Sequence, residues 1–183
     1  WPDVIPDTEK RTSSGGYLSL EGTGRAMGRL LDFSSARNWL HQCEETHGDK
    51  CHKPDWLSNS DNEWPKRGRV IDIEESRIVD LNPSMRYVAL SYVWGSDKKA
   101  RELRLERRLT KENLPRLQKH HGLNDMPLPR TVKDAMYVTK QMGERFLWVD
   151  AFCIVQDDQE DLSRQTVRMD LIFSKALFTI VAA

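Results

Sequence analysis

The residues best suited to chemistry in this 183-residue chain gather at the ends of two apolar runs. After YVALSYV (87–93) come Trp94, Gly95, Ser96 and Asp97, with Ser91 and Tyr92 just inside. The run FLWVDAFCIV (146–155) contains Asp150 and is followed by Gln156, Asp157 and Asp158. Open α/β sheets bind ligands beyond the carboxyl ends of their strands, so these groups share a crevice if the two runs are neighbouring strands. Asp150 is the sharpest of them. It interrupts ten residues that are otherwise apolar or weakly polar, and a buried carboxylate is costly unless it is paired or hydrogen-bonded. Two readings stay open: a functional one, as an acid or base with a raised pKa or an anchor for a substrate hydroxyl, and a structural one, as a carboxylate that caps a loop or pairs with Arg130 or Arg168.

The other groups divide in the same way. Ser91 suits the hydrogen-bonding wall of a pocket. It does not suit a nucleophile, because all five histidines precede residue 122 and no sharp G-x-S-x-G turn surrounds it. At Trp94-Gly95 the glycine permits a tight exit and close backbone approach, and the indole offers a stacking face. A core tryptophan with a turn glycine behind it is the better-fitting reading. Ser96, Gln156 and Asp157 extend the candidate ligand-binding set. Asp157 or Asp158 could hold a cation or a ribose, or serve as a helix N-cap completed by Glu160 or Asp161. Cys153 falls among Val149, Ala151 and Val155 and reads as a small core residue. Cys43, His47 and Cys51, with His52 alongside, form C-x3-H-x3-C-H. That set could bring four ligands to zinc, or its first two members could simply pack on a helix.

These groups need a frame. A helix is expected from Ser34 or Ser35, with the stripe Ala36, Trp39, Leu40, Cys43, His47 and a stop at Gly48. RVIDI (69–73) and RIVDL (77–81) read as a hairpin. YVALSYVW (87–94) is a strand, and short helical pieces are expected around 110–120. Thr131 should cap a helix facing inward with Val132, Ala135, Met136, Thr139 and Met142 and ending at Gly143. FLWVDAFCIV then reads as one central strand, followed by a helix with the stripe Leu162, Met169, Ile172, Phe173, Ala176 and a last strand, LFTIVAA (177–183). Strands alternating with helices across short joints predict an α/β fold, with a mainly parallel sheet flanked by helices and an N-terminal helix and β-hairpin extension.

Composition narrows the classes. Lys plus Arg equals Asp plus Glu at 28 each, which gives nucleic acid or an anionic membrane nothing to recognise globally. The basic run RELRLERR (101–108) is interleaved with glutamates and lacks aromatics, as a solvated face does. Mean hydropathy is −0.66, and no apolar run approaches the roughly 20 residues a membrane span needs. Residues 1–33, with Pro2, Pro6 and SSGG, are expected to be a disordered lead-in. Residues 34–68 make a helix and loop extension, and 69–183 a domain with core blocks 87–96, 128–158 and 168–183. The chain begins with Trp1, and its last strand-like run stops at Ala183. It reads as a piece of something longer.

LSYVWG, then FLWVDAFCIVQDD after a helix beginning RTVKDA, then M-x-x-I-F-x-x-A-x-x-T-I-V-A at 169–182 resemble in type and order the fungal heterokaryon-incompatibility (HET) domain. Phe173 stands where many members have Tyr. The resemblance implies a cytoplasmic effector of non-self recognition that induces programmed cell death through self-association or protein partners. The family is more distantly similar to TIR domains, which implies a TIR/flavodoxin-like three-layer arrangement with LSYVWG as first strand and LWVDAFCI as second. Some TIR domains cleave NAD with a glutamate on a helix after the third or fourth strand. That reading makes NAD a substrate, with Ser91 and Trp94 lining its pocket and Asp150 binding ribose or acting as acid/base. The glutamate would lie beyond Ala183, or Asp150, Asp157 or Glu160 would replace it, or the domain is not catalytic.

Overall fold

The computed structural model describes residues 31–48, 67–93 and 107–182. Its centre is a five-stranded sheet. In chain order the strands are β1 (Arg69–Asp72), β2 (Arg77–Asp80), β3 (Val88–Tyr92), β4 (Phe146–Trp148) and β5 (Thr179–Ala182). Their spatial order is β2-β1-β4-β3-β5. β3 runs parallel to β4 on one side and to β5 on the other. The expectation of a mainly parallel sheet needs correcting, because β1 pairs antiparallel with both β2 and β4. The hairpin is therefore not an extension. Ile71↔Leu147 and Asp72↔Phe146 make it two of the five strands of one mixed sheet.

Around the sheet stand helices α1 (Phe33–His47), α2 (Leu114–Leu117), α3 (Arg130–Gln141), α4 (Asp150–Cys153), α5 (Gln159–Thr166) and α6 (Met169–Lys175). α3 buries Val132, Ala135 and Thr139 and contacts β3 and β4. α6 reaches the sheet through the edge-to-face contact of Phe173 with Trp148, ring centroids 5.4 Å apart. The buried Tyr87 hydroxyl also donates to the Ile172 carbonyl. Burial pushes the Tyr87 phenol well above its ordinary pKa. The core is contiguous, with Val70, Ile71, Tyr87, Val88, Leu147, Trp148, Phe152 and Ile172 at its middle.

Four local expectations change. The apolar run 146–155 is not one strand. It stays extended through Val149, then turns, because the Phe152 and Cys153 amides both donate to the Val149 carbonyl. An apolar run of this length carries no period that separates a buried strand from a buried helical turn. Secondly, α1 is capped by Asp32, whose carboxylate accepts from the Ser34 and Ser35 amides and hydroxyls. Its stripe is no core either: α1 has no buried residue, and Trp39 is 66% exposed. Thirdly, α3 starts at Arg130 behind Pro129, not behind Thr131. Lastly, the final helix breaks at Val167 and Arg168, although Leu162, Met169, Phe173 and Ala176 all still pack on the core.

Candidate functional site

The winding of the three parallel strands decides where a ligand would sit. The chain leaves β3 and crosses by α3 to β4 on one flank. It then returns through α4, α5 and α6 to β5 on the other flank. Right-handed crossovers in opposite directions diverge at the carboxyl end of β3, and that divergence is where open α/β sheets form a crevice. Ser91 and Tyr92 close β3 there, paired with Val181 and Ala182 of β5. On the other side β3 pairs with β4 in the register Val88↔Leu147, Ala89↔Trp148, and β4 ends at Trp148, two residues before Asp150. Ser91 lies at the end of β3, and Asp150 follows the end of the neighbouring parallel strand β4. Trp94, Gly95 and Ser96 lie outside the described residues.

Asp150 is not mid-strand, as the sequence suggested. It is the half-buried first residue of α4, and its Oδ1 accepts from the Ala151 amide at 2.6 Å. A carboxylate at the start of a helical turn is stabilised by the amides it faces. Arg130, one of its suggested partners, instead lies 3.5 Å from Asp134. Cys153 sits in the same turn, not on an alternating strand face. It is buried as expected, and that burial pushes its thiol up to about 12.

Gln156 and Asp157 hold the rim together. Gln156 Nε2 donates to the Asp150 and Ile154 carbonyls at 3.0 and 3.1 Å, closing the α4 turn from behind. Its amide donates to Leu109, whose own amide donates to Ala151. The Asp157 carboxylate accepts from the Lys111 amide at 2.8 Å. So the 109–111 segment is stitched onto the turn that presents Asp150. Asp158 is the α5 cap, accepting from the Glu160 and Asp161 amides. Burial pushes its carboxyl up, but those amides and Lys111 outweigh it and hold the pKa below the usual range.

Two ion pairs that brace this rim were not foreseen. Asp161, suggested as a partner in the cap, is instead buried against Arg69. Asp72 is buried against Arg145, with Oδ1 to Nε at 3.0 Å and Oδ2 to Nη2 at 2.7 Å. Burial raises the Asp72 pKa, but hydrogen bonds from Arg145 and from the Glu74 and Glu75 amides outweigh it and bring it below the ordinary value. The signal available beforehand was the pair of charges at the two ends of RVID, an apolar strand.

Cys43 and His47 do meet on α1, with Sγ 3.3 Å from Nδ1. Cys51 and His52 lie outside the described residues. Among the described residues no three His, Cys, Asp or Glu side chains are grouped to hold a metal, and no helix is long and apolar enough to cross a membrane.

Comparison with known proteins bears on the same blocks. The chain is 31% identical over 109 residues to heterokaryon incompatibility protein 6, OR allele, of Neurospora crassa. The match covers 55% of this chain but only 15% of that relative. No solved structure matches. The family profile described as heterokaryon incompatibility protein (HET) matches residues 87–183, which hold β3, β4, β5 and the rim between them. With more than half its length matched, from the strand bearing Ser91 to the one that pairs with it, the chain belongs to the HET family.

Proposed function

We propose that this domain is a cytoplasmic effector of fungal non-self recognition that triggers programmed cell death through contact with protein partners or further copies of itself. Membership of the HET family supports a role in incompatibility. The observation that carries the contact mechanism is the state of the β5 flank. Among the described residues β5 is an edge strand, its four residues carry no charge, and Val181 and Val93 are 73% and 79% exposed. The opposite edge, β2, is bounded by Arg77 and Asp80. Uncharged edges with exposed aliphatic side chains are the ones that pair with other chains. Induced expression of the chain in a fungal host, beside a Val93→Lys, Val181→Lys double variant, tests this. Death with the parent and survival with an equally abundant double variant is the expected result.

NAD hydrolysis is the second reading, supported by the position of Ser91 and Asp150 at the carboxyl ends of the adjacent parallel strands β3 and β4. Here Asp150 would bind ribose or exchange a proton, and Gln156 would hold its turn. Nicotinamide release by the purified chain, at high concentration or artificially clustered, is the direct assay. Turnover lost in a folded Asp150→Asn variant supports it, and absence of turnover from a well-folded parent removes it for this chain. A zinc-stapled interaction module is less well supported, since only Cys43 and His47 are brought together among the described residues.

A further inference from the structure

Residues 109–111 tie an outlying segment to the turn that presents Asp150. The Leu109 amide donates to the Ala151 carbonyl at 2.8 Å, and the Leu109 carbonyl accepts the Gln156 amide at 2.9 Å. The Lys111 amide donates to Asp157, and its Nζ lies 3.5 Å from Asp158. Thr110 stands between these attachments and is itself only half-buried. Its amide donates to Asn113 Oδ1 at 2.8 Å, and its hydroxyl oxygen accepts the Asn113 amide over a long 3.3 Å. Arg107 and Arg108 precede it by three and two residues. They are half-buried, not solvated as the composition of the basic run suggested. Neither guanidinium is in an ion pair among the described residues, and neither Nε has a hydrogen-bond partner. No other serine or threonine of the chain follows arginine at both positions.

We infer that Thr110 is a phosphorylation site for a kinase that reads paired basic residues, and that the phosphate detaches 109–111 from the α4 turn. Basic side chains at a fixed distance before a hydroxyl are the charge pattern that such kinases recognise with acidic subsites. In the transfer, Thr110 Oγ1 attacks the γ-phosphorus of ATP and forms a new O–P bond. The bond from that phosphorus to the β–γ bridging oxygen breaks, ADP leaves, and the kinase's own base takes the hydroxyl proton. Leu109 is wholly enclosed, so the kinase acts on the segment when it opens locally. Once attached, the phosphate carries about −1.5 to −2 charges, one residue from the amide that Asp157 holds. It repels the Asp157 and Asp158 carboxylates and competes with Asp158 for Lys111, which favours the detached arrangement. The assignment holds whether or not Asp150 takes part in catalysis.

The test incubates the purified chain with ATP, Mg²⁺ and the catalytic subunit of cyclic-AMP-dependent protein kinase, and maps phosphate by peptide mass spectrometry. The expected result is phosphate on Thr110 that is absent in Thr110→Ala. Its rate should fall at least about tenfold in an Arg107→Gln, Arg108→Gln double variant, shown to be folded by circular dichroism, because the kinase's acidic subsites lose both partners. Asp157→Ala, which releases the Lys111 amide, should raise the rate by easing local opening. In the phosphorylated chain, hydrogen exchange at the Leu109, Lys111 and Gln156 amides should quicken severalfold, while β1 and β2 keep their protection. No phosphate on Thr110 would overturn the assignment, with Ser13 as the check on the kinase because it follows Lys10 and Arg11 at the same spacing. A rate indifferent to the two arginines, or unchanged exchange at 109–111 and 150–156 after modification, would overturn it as well.

Discussion

Arg69 Nη1 lies 2.8 Å from Asp161 Oδ2 with both side chains almost wholly buried, joining the first residue of β1 to the first turn of α5. The pair is well saturated. The same Arg69 nitrogen donates to the Cys153 carbonyl at 3.1 Å, and the same Asp161 oxygen accepts the Val155 amide at 2.9 Å. It therefore fixes the exit of the α4 turn, and with it the placement of Asp150.

Removing one partner strands the other. Asp161→Asn should destabilise the fold by about 3–5 kcal/mol, because Arg69 is left charged and buried. Replacing both residues together, as Arg69→Met with Asp161→Leu, should cost clearly less than the sum of the single changes. Urea unfolding of all four proteins in a double-mutant cycle measures the coupling.

The Asp72–Arg145 pair gives stability a pH dependence. The Asp72 carboxyl is depressed in the folded state, so the folded protein binds fewer protons than the unfolded chain as pH falls toward acid. Its contribution is fully present above the unfolded value of about 3.9 and is lost as pH drops through the lower folded value. Asp72→Asn should flatten that acid limb and cost about 1–3 kcal/mol at neutral pH. Urea midpoints taken from neutral to strongly acid pH check both.

Asp150→Asn has a small expected cost. Its carboxylate serves the first turn of α4 from a half-buried position, and exchanging one capping side chain for another costs about 1 kcal/mol or less. A thermal melt close to the parent's is expected, which makes this variant a clean probe of chemistry. A loss of several kcal/mol would place Asp150 among the core ion pairs instead.

Helix α1 should come loose before the rest. It buries no residue and is held by Arg86 to Glu44, by Arg37 to the Gln141 carbonyl and by the Phe33–Tyr137 ring contact. Exposed ion pairs contribute about 0–1 kcal/mol and weaken with salt. Hydrogen exchange at 33–47 should accelerate in Arg86→Gln and at high salt, while β3 and β4 keep their protection.

The legibility of the fold follows from how far each determinant reaches along the chain. β1, β2, β3 and β5 carry their own signals, and so does the α3 face of Val132, Ala135 and Thr139. The turn at Asp150 was hidden because an apolar run without period reads equally as strand or buried helix. The antiparallel seam between β1 and β4 depends on Asp72 finding Arg145, and the brace under α4 on Arg69 finding Asp161. Such pairings cross most of the domain, and no local pattern encodes them. Gln156 and Asp157, read from sequence as ligand-binding candidates, are engaged instead with the Asp150 carbonyl and the Lys111 amide.

The pairing of β3 with β5 sets an order of events during synthesis. Ala89 is translated long before Thr179, the residue it must meet. While the ribosome is still completing α6, β3 has β4 on one side and nothing on the other. Contacts between such distant segments form late and slow folding. The β5 side of Ser91 is therefore covered only as β5 emerges. A nascent chain stalled before residue 179 would carry β3 and β4 without the β5 pairing, so the timing of translation itself delays closure of the parallel half of the sheet.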